Sequence, residues 1–177
     1  VTIDVGASSA QDSAGNNNTA SNTLTYSIDK QVPTVSISSV SPDPTSSSVS
    51  VSVSFSENVT GFDSSDLTIT NGTVSSVAGS GSSYTVVVAH SIGSQSTGTL
   101  SIQVAASGAA DAAGNANTAS NTLTRSIDTR GPSVTLASAS ASTVTGSFSV
   151  TATLSLSSTD FASGDVSVTG GSVSNFA

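Results

Sequence analysis

The residues able to do chemistry in this chain are few and mostly acidic. Eleven carboxylates stand against three cations, Lys30, Arg125 and Arg130, and one imidazole, His90, giving a net charge of −8. Two segments share an acid–amide spacing: DSAGN at 12–16 and DAAGN at 111–115. An Asp with Asn four residues on and Gly between them suits either of two tasks. The side chains can cap a turn by bonding their own backbone while Gly supplies positive φ. Alternatively, their oxygens can join other acids around a hard cation such as Ca²⁺, which takes about 6–8 oxygen ligands. The order is not that of an EF-hand loop, where the Gly stands sixth rather than fourth.

Other chemistries find little support. His90 is surrounded by serines only because serine is abundant throughout, so a Ser–His–Asp arrangement has no placement behind it. The chain has no Cys, no Gly-rich phosphate loop and no G-x-S-x-G elbow, and it reads as non-enzymatic. Three cations are too few for a nucleic-acid partner, which needs Lys and Arg in number. No apolar run approaches the roughly 20 residues required to span a bilayer, so no membrane insertion is expected in this segment.

The acidic loops lie within a repeat. NTASNTLT occurs at 18–25 and again at 117–124, an offset of 99. Residues 1–33 laid on 100–132 give 21 identities without a gap, and FDSSDLTITNGTV at 62–74 falls on FASGDVSVTGGSV at 161–173. Taking the SID-x-x-x-Pro segments as junctions, 30–128 reads as one complete module. Residues 1–29 then read as the C-terminal part of a preceding module, and 129–177 as the N-terminal part of a following one. The register predicts a window on a longer array.

The elements that must position the acids are strands. SVSVSVSFS at 48–56 puts Val49, Val51, Val53 and Phe55 on one face and serines on the other, and TLSIQVA at 99–105 does the same with Leu100, Ile102 and Val104. Strands are predicted at 34–40, 48–56, 65–70, 73–78, 83–90, 98–105 and 118–127. They are separated by SPDP, GSGSS and GSQSTG turns and by an Asn71–Gly72 step that suits a tight hairpin. Seven short strands in about 100 residues, with no helical period, predict an all-β chain of tandem immunoglobulin-like β-sandwich modules. With no Cys, such a core holds by packing or bound ions.

In that topology the end of the second strand and the loop between the sixth and seventh lie at the pole where the chain enters. Glu57 follows the second strand, Asp111 and Asn115 lie in that loop, and Asp29 arrives from the preceding module. Clustered carboxylates repel unless a cation sits among them. The candidate metal ligands are therefore Asp29, Glu57, Asp111 and Asn115, with Asp12, Asn16 and Asp128 as their copies one repeat away. Turn capping remains the alternative for each. Asp63 and Asp66 read as solvated loop acids, and Asp43, between two prolines, as a turn residue at the opposite pole.

FSENVTGFDSSDLTITNGT, followed by YTVVV and by DAAGNANTASNT with SID and Pro beyond, resembles the bacterial Ig-like repeats of very large secreted or surface-bound adhesins. The resemblance implies an extracellular or cell-surface location and a stalk segment stiffened by Ca²⁺ between neighbouring modules of the same chain, with adhesion placed in other domains. Two further readings remain: association with other copies by strand exchange into a filament, and a module that itself grips carbohydrate or a cell surface. With two Tyr and no Trp, the chain is poor in the exposed aromatics that sugar sites favour.

Overall fold

A computed structural model describes residues 1–177. Ten strands succeed one another: β1 (Thr2–Ile3), β2 (Leu24–Thr25), β3 (Val35–Ser38), β4 (Val49–Val59), β5 (Leu67–Thr70), β6 (Gly72–His90), β7 (Thr97–Val104), β8 (Leu123–Asp128), β9 (Val134–Ala137) and β10 (Thr151–Leu154). The chain forms two compact units, one of Val1–Ile92 with Gly98–Ile127 and one of Gly93–Thr97 with Asp128–Ala177.

The first unit contains the sandwich. One sheet has the order β3-β4-β6 and the other β5-β7-β8. Strict alternation dictates which faces meet. Val49, Val51, Val53 and Phe55 are buried and the intervening serines exposed, while Leu100, Ile102 and Val104 are buried from the second sheet. Both sets join Val86, Val88 and Ile127 in one core. Phe55, Phe62 and Tyr84 pack edge to face at centroid separations of 4.9–6.0 Å, a geometry that aromatic quadrupoles favour.

The Asn71–Gly72 step is not the predicted hairpin. A two-residue turn of that kind needs positive φ at both positions, and only Asn71 has it, at 61°. That one left-handed residue carries the chain from β5 in one sheet to β6 in the other. The hairpin lies within β6 instead. Nineteen extended residues would place Gly72 and Ala89 more than about 50 Å apart. A Cβ on Gly72, however, would meet the Ala89 carbonyl at 2.8 Å, so the segment folds back on itself. The fold occurs where Gly79 and Gly81 adopt φ of 122° and 65°, at the predicted GSGSS turn. The strand predicted over 118–127 is shorter than expected, beginning at Leu123.

The repeated NTASNT motif acts as a staple. Asn117 accepts from the Ala109 N–H and donates to the Ala105 and Thr118 carbonyls. The Ser120 hydroxyl accepts from the Val104 N–H, and the Asn121 amide bonds both the N–H and the C=O of Ile37, doing for β3 what a neighbouring strand would do. These bonds satisfy backbone groups that would be costly to leave unpaired. In the earlier copy, Asn18 and Ser21 make the matching bonds to Ala10, Gly6 and Val5. There β1 pairs with β2 alone, and Ile3 is exposed where its counterpart Ile102 is buried.

In the second unit β9 and β10 pair antiparallel, with Val134 opposite Leu154. Both strands and the short 3-10 turn Ser163–Asp165 lie 99 residues beyond Val35–Ser38, the middle of β4 and the 3-10 turn Ser64–Asp66.

Candidate metal centre

Three backbone connections bring acids from distant parts of the chain together. Thr60, three residues after Glu57, exchanges backbone hydrogen bonds with Ala110 at 2.8 and 3.0 Å, setting the end of β4 beside Asp111. Ser56 N–H donates to the Thr34 carbonyl, and Thr118 N–H to that of Pro33, drawing the chain after Asp29 to the same place. The Asn115 amide donates to the Asp29 carbonyl at 3.3 Å. As a result, one carboxylate oxygen each from Asp29, Glu57 and Asp111 lies within 4.8 Å of the others. Glu57 sits inside β4 rather than after it, in a stretch where the register with β6 shifts between Ser54 and Val59. Such irregularities re-aim a side chain.

The three acids differ in environment. Asp111 is buried and caps its own loop: Oδ1 accepts from the Ala113 and Asn115 N–H groups and Oδ2 from the Asn115 amide. The Asn115 hydrogen bond, with the backbone bonds, holds its carboxyl below the usual range despite burial. Asp29 is exposed and accepts from the Gln31 N–H. Glu57 has no such support. Its Oε1 is buried without a hydrogen-bond partner, and burial first, then the charges of Asp111 and Asp29, push its carboxyl up. None of the three cations pairs with this group; the one ion pair in the chain joins Arg130 to Asp128.

The other predicted ligands do not converge with acids. Asp12 and Asn16 reproduce the Asp111–Asn115 cap bond for bond, in an exposed loop. Asp128 is gripped by Arg130. Asp63 and Asp66 are not merely solvated, since they form a reciprocal capping box on the 3-10 turn Ser64–Asp66. Asp43 accepts from the Ser126 N–H and so fastens its turn to β8. Arg125 donates to the Ser39 carbonyl at 2.6 Å. His90 directs Nε2 at the Ser46 carbonyl at 3.2 Å, and no carboxylate bonds it.

The donor set is all oxygen, with no imidazole or thiolate. It fits a hard cation that tolerates irregular coordination, Ca²⁺ before Mg²⁺, and not zinc. The orphaned Glu57 oxygen is the position such an ion would satisfy.

The profile of the bacterial Ig-like domain matches residues 29–127, more than half of the chain and bounded at Asp29 itself. The chain belongs to that family. Ig-like modules of this kind are generally non-enzymatic structural units, typically outside the cell or on its surface. No curated protein and no solved structure matches the chain.

The acids of the Ig-like module also fix its pH response. For Glu57, whose folded pKa lies above its ordinary 4.5, the charged form opposes folding. Metal-free protein should therefore gain stability as pH falls from neutral towards 4.5. Asp63 and Asp111 are held below 3.8. Their contribution is present above that value and is lost as pH falls through their lowered ones. Melting temperature measured without metal from pH 7 to 3 should rise and then fall, and a monotonic decline from pH 7 would contradict this assignment.

Proposed function

We propose that the chain is a segment of an extracellular stalk in which Ig-like modules recur every 99 residues and Ca²⁺, held by Asp29, Glu57 and Asp111, stiffens the point where one module enters the next. The observation that supports this most strongly is the convergence itself. Asp29 belongs to the lead-in segment, Glu57 to β4 and Asp111 to the loop before β8, yet one oxygen of each lies within 4.8 Å of the others, and Glu57 Oε1 is buried with no partner. When bound, Ca²⁺ supplies charge neutralisation and a crosslink. The residues supply the rest: the Thr60–Ala110 bridge fixes Glu57 against Asp111, and the Asn115 amide holds the Asp29 backbone. A centre with three carboxylates, one of them exposed, belongs with the weak extracellular sites, with Kd of about 10⁻⁴–10⁻³ M.

Small-angle scattering of the whole chain tests the mechanical role. In millimolar Ca²⁺ the profile should be that of a stiff particle, and removing the ion should broaden the distribution of lengths as the lead-in segment comes free. Superimposable profiles with and without Ca²⁺ would remove the stiffening role.

A further inference from the structure

The turn that leads into the middle module has a counterpart 99 residues later in which the cation stands one residue further on: Asp29-Lys30-Gln31 becomes Asp128-Thr129-Arg130. Gln31 N–H donates to Asp29 Oδ1 at 2.9 Å, and Arg130 N–H donates to Asp128 Oδ1 at the same distance. The side chain two residues past the aspartate thus leaves an equivalent turn in both places. In the first it is a neutral amide. In the second it is a guanidinium that folds back on the carboxylate, Nε to Oδ1 at 3.0 Å and Nη2 to Oδ2 at 2.8 Å. A second position changes in the same direction, for Glu57 at offset 99 becomes Leu156.

A surface Arg–Asp pair by itself says little, because such pairs are common and weak. Here two changes coincide. The cation moves from Lys30, which makes no ion pair, to Arg130, which grips Asp128, and the carboxylate of Glu57 gives way to Leu156, while Asp160, which stands where Gly61 did, accepts from the Ser158 hydroxyl in its own loop. We infer that Arg130 is a built-in substitute for the divalent cation: the array carries one kind of lead-in turn that needs Ca²⁺ and another that brings its own positive charge and is indifferent to the ion. The forked guanidinium engages both carboxylate oxygens, which are the atoms a metal would require. Consistent with that grip, the Asp128 carboxyl is pulled down to about 2, chiefly by the Arg130 hydrogen bonds. An array mixing the two kinds would soften on calcium loss only at chosen places, so stiffness would be graded along the stalk.

The inference rests on the metal centre proposed above, and one substitution separates the two. Gln31 is exposed, so Gln31→Arg in the whole chain should not disturb folding. Its melting temperature in chelator should exceed that of the natural chain, and its affinity for Ca²⁺ should drop at least tenfold. Gln31→Lys, which places a point charge without the fork, should show a smaller version of both effects. If the natural chain responds to Ca²⁺ and Gln31→Arg responds equally while melting no higher in chelator, the substitution idea is overturned and the metal centre stands. If the natural chain does not respond at all, both fall.

Discussion

Replacing Val51 and Val53 together by Thr should bring the middle module to the edge of unfolding. Both side chains lie in the centre of β4, 0% and 1% exposed, opposite Val86 and Tyr84 on β6. Thr keeps the β-branched shape that suits a strand, so backbone propensity is hardly touched. What changes is that each substitution buries a hydroxyl among apolar neighbours at about 1–3 kcal/mol, and the strand's own backbone groups are already committed to the ladder. The pair costs roughly 2–6 kcal/mol against the 5–15 kcal/mol that typically holds a domain. Denaturant melts should show the midpoint falling steeply with little change in slope. A double variant that melts like the natural chain would show the inward face of β4 to be the serine face instead.

The strand faces were legible because period-2 alternation survives directly in the burial of β4 and β7. The connections were less so. Asn71–Gly72 looks like a hairpin turn from composition, but composition does not report how many of its residues take positive φ, and here only Asn71 does. One left-handed residue turns the chain to the facing sheet rather than back along its own. The NTASNT motif stood out as a repeat, but its purpose was hidden. Its Asn and Ser side chains serve backbone groups of residues as distant as Ile37, a relation no local pattern encodes.

The carboxylates divide in the same way. Topology was enough to bring Asp29, Glu57 and Asp111 to one pole, because strand ends and loops of a sandwich have few places to go. Whether Asp111 caps a turn or faces other acids turned out to be a false choice: it does both, with one network of loop bonds and one shared space. The 99-residue repeat groups Asp128 with Asp29. Arg130, two residues away, sets it apart. Asp63 and Asp66 stand three apart, the spacing of their capping box, but with no apolar run beyond them to mark a helix start.

Glu57→Gln tests the metal centre most directly, because the expected sign of its effect depends on whether the ion is present. Without metal, Glu57 carries a charge that burial and two neighbouring acids oppose, on an oxygen with no partner. An amide of the same shape removes that charge, so the variant should melt above the natural chain in chelator. With Ca²⁺ the natural chain gains RT ln(1 + [L]/Kd), about 2.7 kcal/mol at hundredfold excess over Kd. For a domain of this size that corresponds to roughly 10–20 °C. The variant has lost a charged ligand and should gain little. The measurement is a set of four melts, natural chain and Glu57→Gln, each in chelator and in saturating Ca²⁺. The account predicts that the order of the two proteins inverts between the conditions. A natural chain unmoved by Ca²⁺, or a variant that gains as much from it as the natural chain does, would contradict a calcium centre at Asp29, Glu57 and Asp111.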